Sequence, residues 1–317
     1  MKAQRGAAIL TAMLTVVLVA TLASASLWQQ WRSVEIETAE RSRTQSTWVL
    51  TGAMDWARLI LREDARKGGA DHLGEPWAVP LAQARLSTFL AADRSDAQVD
   101  EDAPEAFLSG SMVDLQSRLN VTNLVQDGKI HEPSYKAFQR LFKQLNLPAF
   151  ELTALANQLL RAQAPVVAGQ APVDVPLLPQ DVDQLAWLGV SPRSIAVLRP
   201  YVTLLPVPTP VNLNTASVEV LYACVNTFEM ADAHRLVTAR STTPLTTLAD
   251  ALKLAGKADA LFIDARHSVT SRYFEVSGQL QVGATTVQVT SLVQRDGMTV
   301  KSLIWQRGVV TAKVPLQ

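Results

Sequence analysis

Hydrophobic and polar positions change their period along this chain, and each change predicts a different kind of element. Ala7 to Trp31 carries no charged residue, and Arg32 ends the run. At about 1.5 Å of rise per residue, such a run makes a helix able to cross about 30 Å of hydrocarbon. Glu35, Glu37, Glu40, Arg41 and Arg43 then make the chain wettable. Val49, Ala53, Trp56 and Ile60 follow the spacing of one helical face, and Gly68-Gly69 predicts the stop. One continuous helix from Ala7 to about Arg66 is expected, roughly 90 Å long.

The next stretch is mixed. Leu81 to Leu90 predicts a helix, and Asp93 to Glu105 an acidic exposed loop. Phe107-Leu108 and Met112-Val113 predict two short strands around a Ser109-Gly110-Ser111 turn. From Pro133 to about His267 the period is helical: Tyr135, Phe138, Leu141, Phe142 and Leu145 form one set, and Leu152, Leu155, Leu159 and Leu160 another. Ala164 to Pro179 reads as a linker, with short helices at 180–188 and 192–199. The last stretch alternates. Phe274, Val276, Leu280 and Val282 predict a strand, Val287, Val289 and Ser291 a second, and Met298 to Gln306 a third after an Asp296-Gly297 turn.

Charge and cysteine content narrow the picture. Lys plus Arg and Asp plus Glu number 29 each, a balance that argues against broad nucleic-acid binding. Cys224 is the single cysteine, so no intrachain disulfide forms, and its apolar surroundings predict a buried thiol. The histidines His72, His131, His234 and His267 have no metal-binding spacing, and no nucleophile or phosphate-loop motif is present. No catalytic residue is assigned, and a non-enzymatic protein is expected. Asp181 with Asp183, and the 93–105 run, are candidates for a hard cation, against the plainer reading of a solvated face.

The start of the chain admits three readings. Lys2 and Arg5 with Ala23-Ser24-Ala25 suit a cleaved secretory signal, but the apolar core is longer than the typical 7–15 residues. An uncleaved anchor is the second. Trp28 and Trp31, three apart on one helix face, stand where an aromatic belt meets the water interface. The third is a basic hexapeptide ending at Gly6 before a retained apolar helix, which resembles the leader of type IV pilins and pseudopilins. The positive flank keeps the N-terminus cytoplasmic.

Two further features sharpen the resemblance. The fifth residue after Gly6 is Thr11, where most pilin-like proteins carry Glu. Val211-Asn212-Leu213-Asn214-Thr215-Ala216 is the most distinctive internal string, with Asn214 or Thr215 placed to cap a following helix, and Asn120-Val121-Thr122-Asn123-Leu124 is its looser echo. Together these resemble the minor pseudopilin K family of type II secretion systems.

The resemblance implies an α+β fold with a pilin-like long N-terminal helix, a small antiparallel sheet and a large all-helical domain inserted in the head. The expected divisions are leader 1–6, transmembrane helix 7–31, periplasmic helix 32–69, head 70–123, helical insertion 124–268 and returning head strands 269–317. It implies cleavage between Gly6 and Ala7 by prepilin peptidase and N-methylation of Ala7. Thr11 then replaces the assembly Glu, as in a tip subunit. A minor pseudopilin at the pseudopilus tip is expected, initiating or capping assembly and supporting export of folded proteins across the outer membrane. Its expected place is the inner membrane, single-pass, with a periplasmic C-terminal domain. Minor pseudopilins I and J and the major pseudopilin are the implied partners. Calcium is implied with no ligands assigned, and no nucleic acid is expected.

The alternative is a DNA-uptake minor pilin, because Asn-x-Asn-Thr-Ala also opens helix-hairpin-helix modules. Those modules need a Gly-x-Gly hairpin so that backbone amides can approach a phosphate, and Val225-Asn226-Thr227-Phe228-Glu229 stands there instead.

Overall fold

The computed structural model describes residues 5–87, 105–164, 175–256, 262–283 and 285–311. The chain divides into two compact units, Met1–Ala53 and Met54–Gln317. Helix α1, Arg5–Lys67, has no proline and Gly52 as its sole glycine beyond Gly6. From Ile9 to Ile36 its apolar side chains stand exposed, and Thr11, Thr15 and Thr21 satisfy their hydroxyls by donating to carbonyls one turn back. This helix is long and apolar enough to cross a membrane, with a mean hydropathy of 2.2 in its most apolar window.

Helix α1 stops where the glycines predict. Gly68 and Gly69 have φ of +67° and +114°, a region that side chains with a Cβ rarely enter. The buried stripe differs from the expected one. Leu50, Met54, Ala57 and Leu61 are buried, whereas Trp56 is exposed. The spacing is the same and the stripe lies one residue further on, because Trp56 falls on the outward side of the turn.

The second unit holds a five-stranded antiparallel sheet. Its strands are β1 (Leu81–Arg85), β2 (Ala106–Asp114), β9 (Tyr273–Val282), β10 (Thr285–Asp296) and β11 (Thr299–Thr311), in the order β1-β2-β9-β10-β11. A 3₁₀ turn at Pro76–Ala78 precedes β1. Leu81–Arg85 is thus a strand and not the start of a helix; edge pairing with β2 overrides the helical propensity of its Leu and Ala residues. Residues 88–104, with most of the expected helix end and acidic loop, lie outside the described residues.

The expected turn at Ser109–Ser111 is the middle of one continuous strand. Gly110 faces Gly278, and a Cβ on Gly110 would lie 2.9 Å from the Ser277 carbonyl oxygen. The glycine permits close backbone approach and makes no turn. The predicted alternation in β9 and β10 holds, with Phe274, Val276, Leu280, Val287, Val289 and Ser291 buried. The last hairpin turns at Gly297-Met298, one residue later than expected, since Asp296 pairs with Thr299. Gly297 has φ of +55°, as the first central position of a II′ turn demands.

Strands β2 and β9 are neighbours in space, and residues 115–272 leave and return between them. This segment falls into two halves. The first opens with a 3₁₀ turn (Leu115–Ser117) and strand β3 (Leu119–Asn120). It continues through the Val121–Leu124 turn, the β4–β5 hairpin (Val125–Gln126, Lys129–Ile130), α2 (Glu132–Gln144), α3 (Ala149–Ala162), the Val182–Leu188 turn and α4 (Pro192–Leu198). It closes with β6 (Val202–Thr203), parallel to β3. The second half opens with β7 (Val211–Asn212), runs through α5 (Val218–Cys224), α6 (Met230–Thr242) and α7 (Leu248–Ala255), and closes with β8 (His267–Ser268), parallel to β7.

One apolar core joins the halves. Phe138, Leu141 and Phe142 of α2, Leu152 and Leu155 of α3, and Val220, Leu221 and Cys224 of α5 belong to it. Each large apolar side chain so buried contributes about 1.5–3 kcal/mol.

Candidate functional site

The distinctive string Val211–Ala216 is threaded into a buried polar junction. Val211 and Leu213 donate backbone N–H groups to the carbonyls of Arg266 and Ser268, at 2.9 and 2.8 Å. Asn214 clamps the Leu245 backbone from both sides, donating to its carbonyl and accepting from its N–H at 2.9 Å each. Arg240, buried in α6, donates to the carbonyls of Leu213 and Ala216, and burial lowers its pKa to about 10. The helix cap is Ser217, whose hydroxyl oxygen accepts from the Val220 N–H. Asn214 and Thr215 do not cap it, because their side chains are committed inward.

Thr215 and Asn212 meet Asp114, the last residue of β2. Asp114 Oδ2 accepts from the Thr215 hydroxyl at 2.5 Å, the Ser271 hydroxyl at 2.6 Å and the Asn212 amide at 3.1 Å. Its Oδ1 accepts from the Gln116 N–H at 2.7 Å. Burial pushes this carboxyl up to about 6 even against four donors. Asn212 also donates to the Asp71 carbonyl at 3.2 Å and to Ser271 Oγ at 2.9 Å. One amide therefore ties the segment after α1, the end of β2 and the segment that leads into β9.

Arg295, near the end of β10, completes the junction. Its guanidinium donates to Asp64 Oδ2 and Asp71 Oδ2 at 2.6 Å each and to the Ser271 carbonyl at 2.7 Å. It lies 4.9 Å from the centre of the Phe274 ring, which packs edge-on against buried Trp77. Burial raises Asp71 against the pull of Arg295. Sequence reasoning found Asn212, Asn214, Thr215 and Ala216 but missed Asp64, Asp71, Asp114, Ser271 and Arg295. No local spacing connects those five; the fold alone does.

The upstream echo makes the same local turns without charges. Asn120 Oδ1 accepts from the Thr122 N–H at 3.1 Å, as Asn212 Oδ1 accepts from the Asn214 N–H at 2.9 Å. Asn123 clamps the Thr209 backbone as Asn214 clamps Leu245, at 2.7 and 2.9 Å.

At the hairpin between α5 and α6, Arg140 of α2 donates to the carbonyls of Tyr222, Asn226 and Phe228 and lies 4.1 Å over the Tyr222 ring. Asp232 Oδ2 accepts from the Glu229 N–H at 2.9 Å. Cys224 is buried and its thiol pushed up to about 12. His267 Nδ1 accepts from the Ile263 N–H and Nε2 faces the Cys224 carbonyl at 3.3 Å. Burial lowers this imidazole to about 4, so it is neutral.

Among the described residues, the acidic side chains that sequence offers to a hard cation are otherwise engaged. Asp181 accepts from the Asp183 N–H at 3.0 Å, and Asp183 pairs with Arg199. From the 93–105 run, Glu105 lies within the described residues and pairs with Arg85 at 2.9 Å. Asp64, Asp71 and Glu75 bring carboxylate oxygens within 4.8 Å of one another. Yet Arg295 holds the first two, and Glu75 Oε2 accepts from the His72 N–H and the Trp77 indole. Calcium takes about six to eight oxygens, and a cluster already filled by a guanidinium does not fit it.

The remaining sequence-predicted residues lie on α1. Gly6 and Ala7 are in its first turn, Thr11 donates to the Ala8 carbonyl at 3.0 Å, and Trp28 and Trp31 are exposed.

A long N-terminal helix, a small antiparallel sheet and a large helical segment between neighbouring strands define an α+β protein of pilin-like class. Two family models, both described as type II secretion system protein K, match residues 117–207 and 211–270, the two halves of the helical segment. The type II secretion system protein K of Pseudomonas aeruginosa is 26% identical over 315 residues, spanning 93% of this chain and 90% of that protein. A chain of the solved GspK–GspI–GspJ complex from the enterotoxigenic Escherichia coli type 2 secretion system has the same fold. Its TM-score is 0.63 at 19% identity, over 85% of this chain and 98% of that one. Both family models and the Pseudomonas relative support placing the chain in the type II secretion system protein K family, a family of pseudopilins of protein secretion.

Proposed function

We propose that this protein is a minor pseudopilin at the tip of a type II secretion pseudopilus, where it starts or caps assembly and supports export of folded proteins across the outer membrane. The observation that carries this reading is Thr11. A carboxylate in lipid is stable only with a partner, and a subunit with a self-satisfied threonine there requires no neighbour above it. The bulk of residues 115–272, set between adjacent strands, suits an end position better than a stacked one.

In this reading prepilin peptidase cuts between Gly6 and Ala7, Ala7 is methylated, and the helix remains in the inner membrane. Trp28 and Trp31 sit at the water interface, and the head lies in the periplasm. Minor pseudopilins I and J are the partners, by analogy with the solved GspK–GspI–GspJ complex, and the major pseudopilin continues the filament below. Calcium enters this proposal through the resemblance alone and with no ligand assigned, since the Asp64, Asp71 and Glu75 cluster does not suit it.

The DNA-uptake alternative loses its chemical basis at the α5–α6 hairpin, where Arg140 gathers the carbonyls and Glu229 adds a carboxylate. Co-expression of the full chain with its I and J counterparts, followed by detergent extraction, tests the proposal. The account expects a co-eluting ternary complex; elution of this chain alone, with I and J well expressed, contradicts it.

A further inference from the structure

Four carboxylates, Asp64, Asp71, Glu75 and Asp114, converge beyond the end of α1, and one buried guanidinium answers them. Arg295 directs its donors to Asp64, Asp71 and the Ser271 carbonyl. Arg272, next to Ser271, turns to Asp296 at 3.8 Å. Asp114 is therefore held by neutral donors: two hydroxyls, one side-chain amide and one backbone N–H. It is also the point where the helical segment meets the sheet, through Asn212 and Thr215. A buried carboxylate without a cation beside it, in a cluster already rich in negative charge, favours neutralisation.

We propose that this junction is a proton-operated lock: as the surroundings acidify, Asp114 takes up one proton, and its arrival tightens the seat of the helical segment on the sheet. The geometry has a place for that proton. On Oδ2 it points at Thr215 Oγ1, 2.5 Å away, and the Thr215 hydroxyl turns in exchange toward the Asn212 carbonyl, 3.5 Å from it. The Ser271 and Asn212 donors keep their acceptor, and the repulsion between Asp114 and Asp71 is removed. The ionisable groups around the site are Asp71 and Glu75, both raised by burial, together with Asp64 and Arg295. A carboxyl whose folded pKa is raised to about 6 favours the folded state below that pH and loses the contribution as pH rises through it.

The test uses the full chain in detergent micelles, taken from about pH 8 to about pH 5. Infrared difference spectra should show the C=O stretch of a buried protonated carboxyl, with a midpoint near pH 6. Asp114→Asn should remove that band. Absence of the band from the native chain, or its persistence in Asp114→Asn, overturns the assignment. Should Asp114→Asn fail to fold, Ser271→Ala serves: it takes one donor from the carboxylate, so the midpoint must rise, and an unmoved midpoint also overturns it. Amide exchange at Leu213 and Ser271, corrected for intrinsic rate, should slow across the same midpoint. Exchange that stays flat or quickens on acidification refutes the locking.

Discussion

The two asparagine strings perform one manoeuvre in two settings. Asn120 and Asn212 each fold the chain back through their own side-chain oxygen, and Asn123 and Asn214 each grip a distant backbone amide. The first string touches neutral partners in the segment that leads out of its own half. Asn120 donates to the Val207 carbonyl and to Thr209, and Thr122 to the Leu205 carbonyl. The second string reaches outside its half to Asp71, Asp114 and Ser271. A shared local motif thus fixes a loop in one place and joins the helical segment to the sheet in the other. The difference lies in what the fold brings alongside it.

The largest predicted effect breaks the charged side of that comparison. Arg295→Met leaves Asp64 and Asp71 buried without their cation, and unfolding should show a loss of about 3–5 kcal/mol at neutral pH. A loss under about 1 kcal/mol would mean that the guanidinium does not hold the junction. A paired substitution sharpens the comparison directly. Asn212→Ala strips a donor from buried Asp114 and Ser271 and should be destabilising by about 3 kcal/mol, against about 1–2 kcal/mol for Asn120→Ala. Equal losses would show that the two strings contribute alike.

A further effect concerns pH, where two opposed contributions leave a small net change. His267 is depressed to about 4, so its contribution is complete above about 6.5 and is lost as pH falls through about 4. Stability should therefore fall by about 2 kcal/mol between neutral pH and about pH 5 on its account, and His267→Gln should lack that part of the decline. Asp114 acts in the opposite sense over the same window. Wild type should thus show a shallow acid decline that steepens in Asp114→Asn and disappears in His267→Gln.

Much of the architecture was legible because it is written in local period. The glycine stop of α1, the helical spacing of α2 and α3, the alternation in β9 and the buried Cys224 all depend on near neighbours. The errors share another cause. Leu81–Arg85 is a strand because β2 offers an edge, Gly110 sits mid-strand because Gly278 lies opposite, and the α1 stripe moves by one residue because Trp56 points outward. The polar junction was illegible for the same reason. Asp114 and Arg295 each look like a charge at a strand end, and only the return of the chain after the helical segment places them together. Ser217 was a nearer miss: the capping hydroxyl lay two residues beyond the one expected, since Thr215 is held by Asp114.

The functional account rests on an apolar helix that stays with the mature protein. Mass spectrometry of the N-terminal peptide from membrane-extracted protein tests it most directly. The account predicts a chain that begins at methylated Ala7; one that begins at Ser26, with the helix removed, would contradict it.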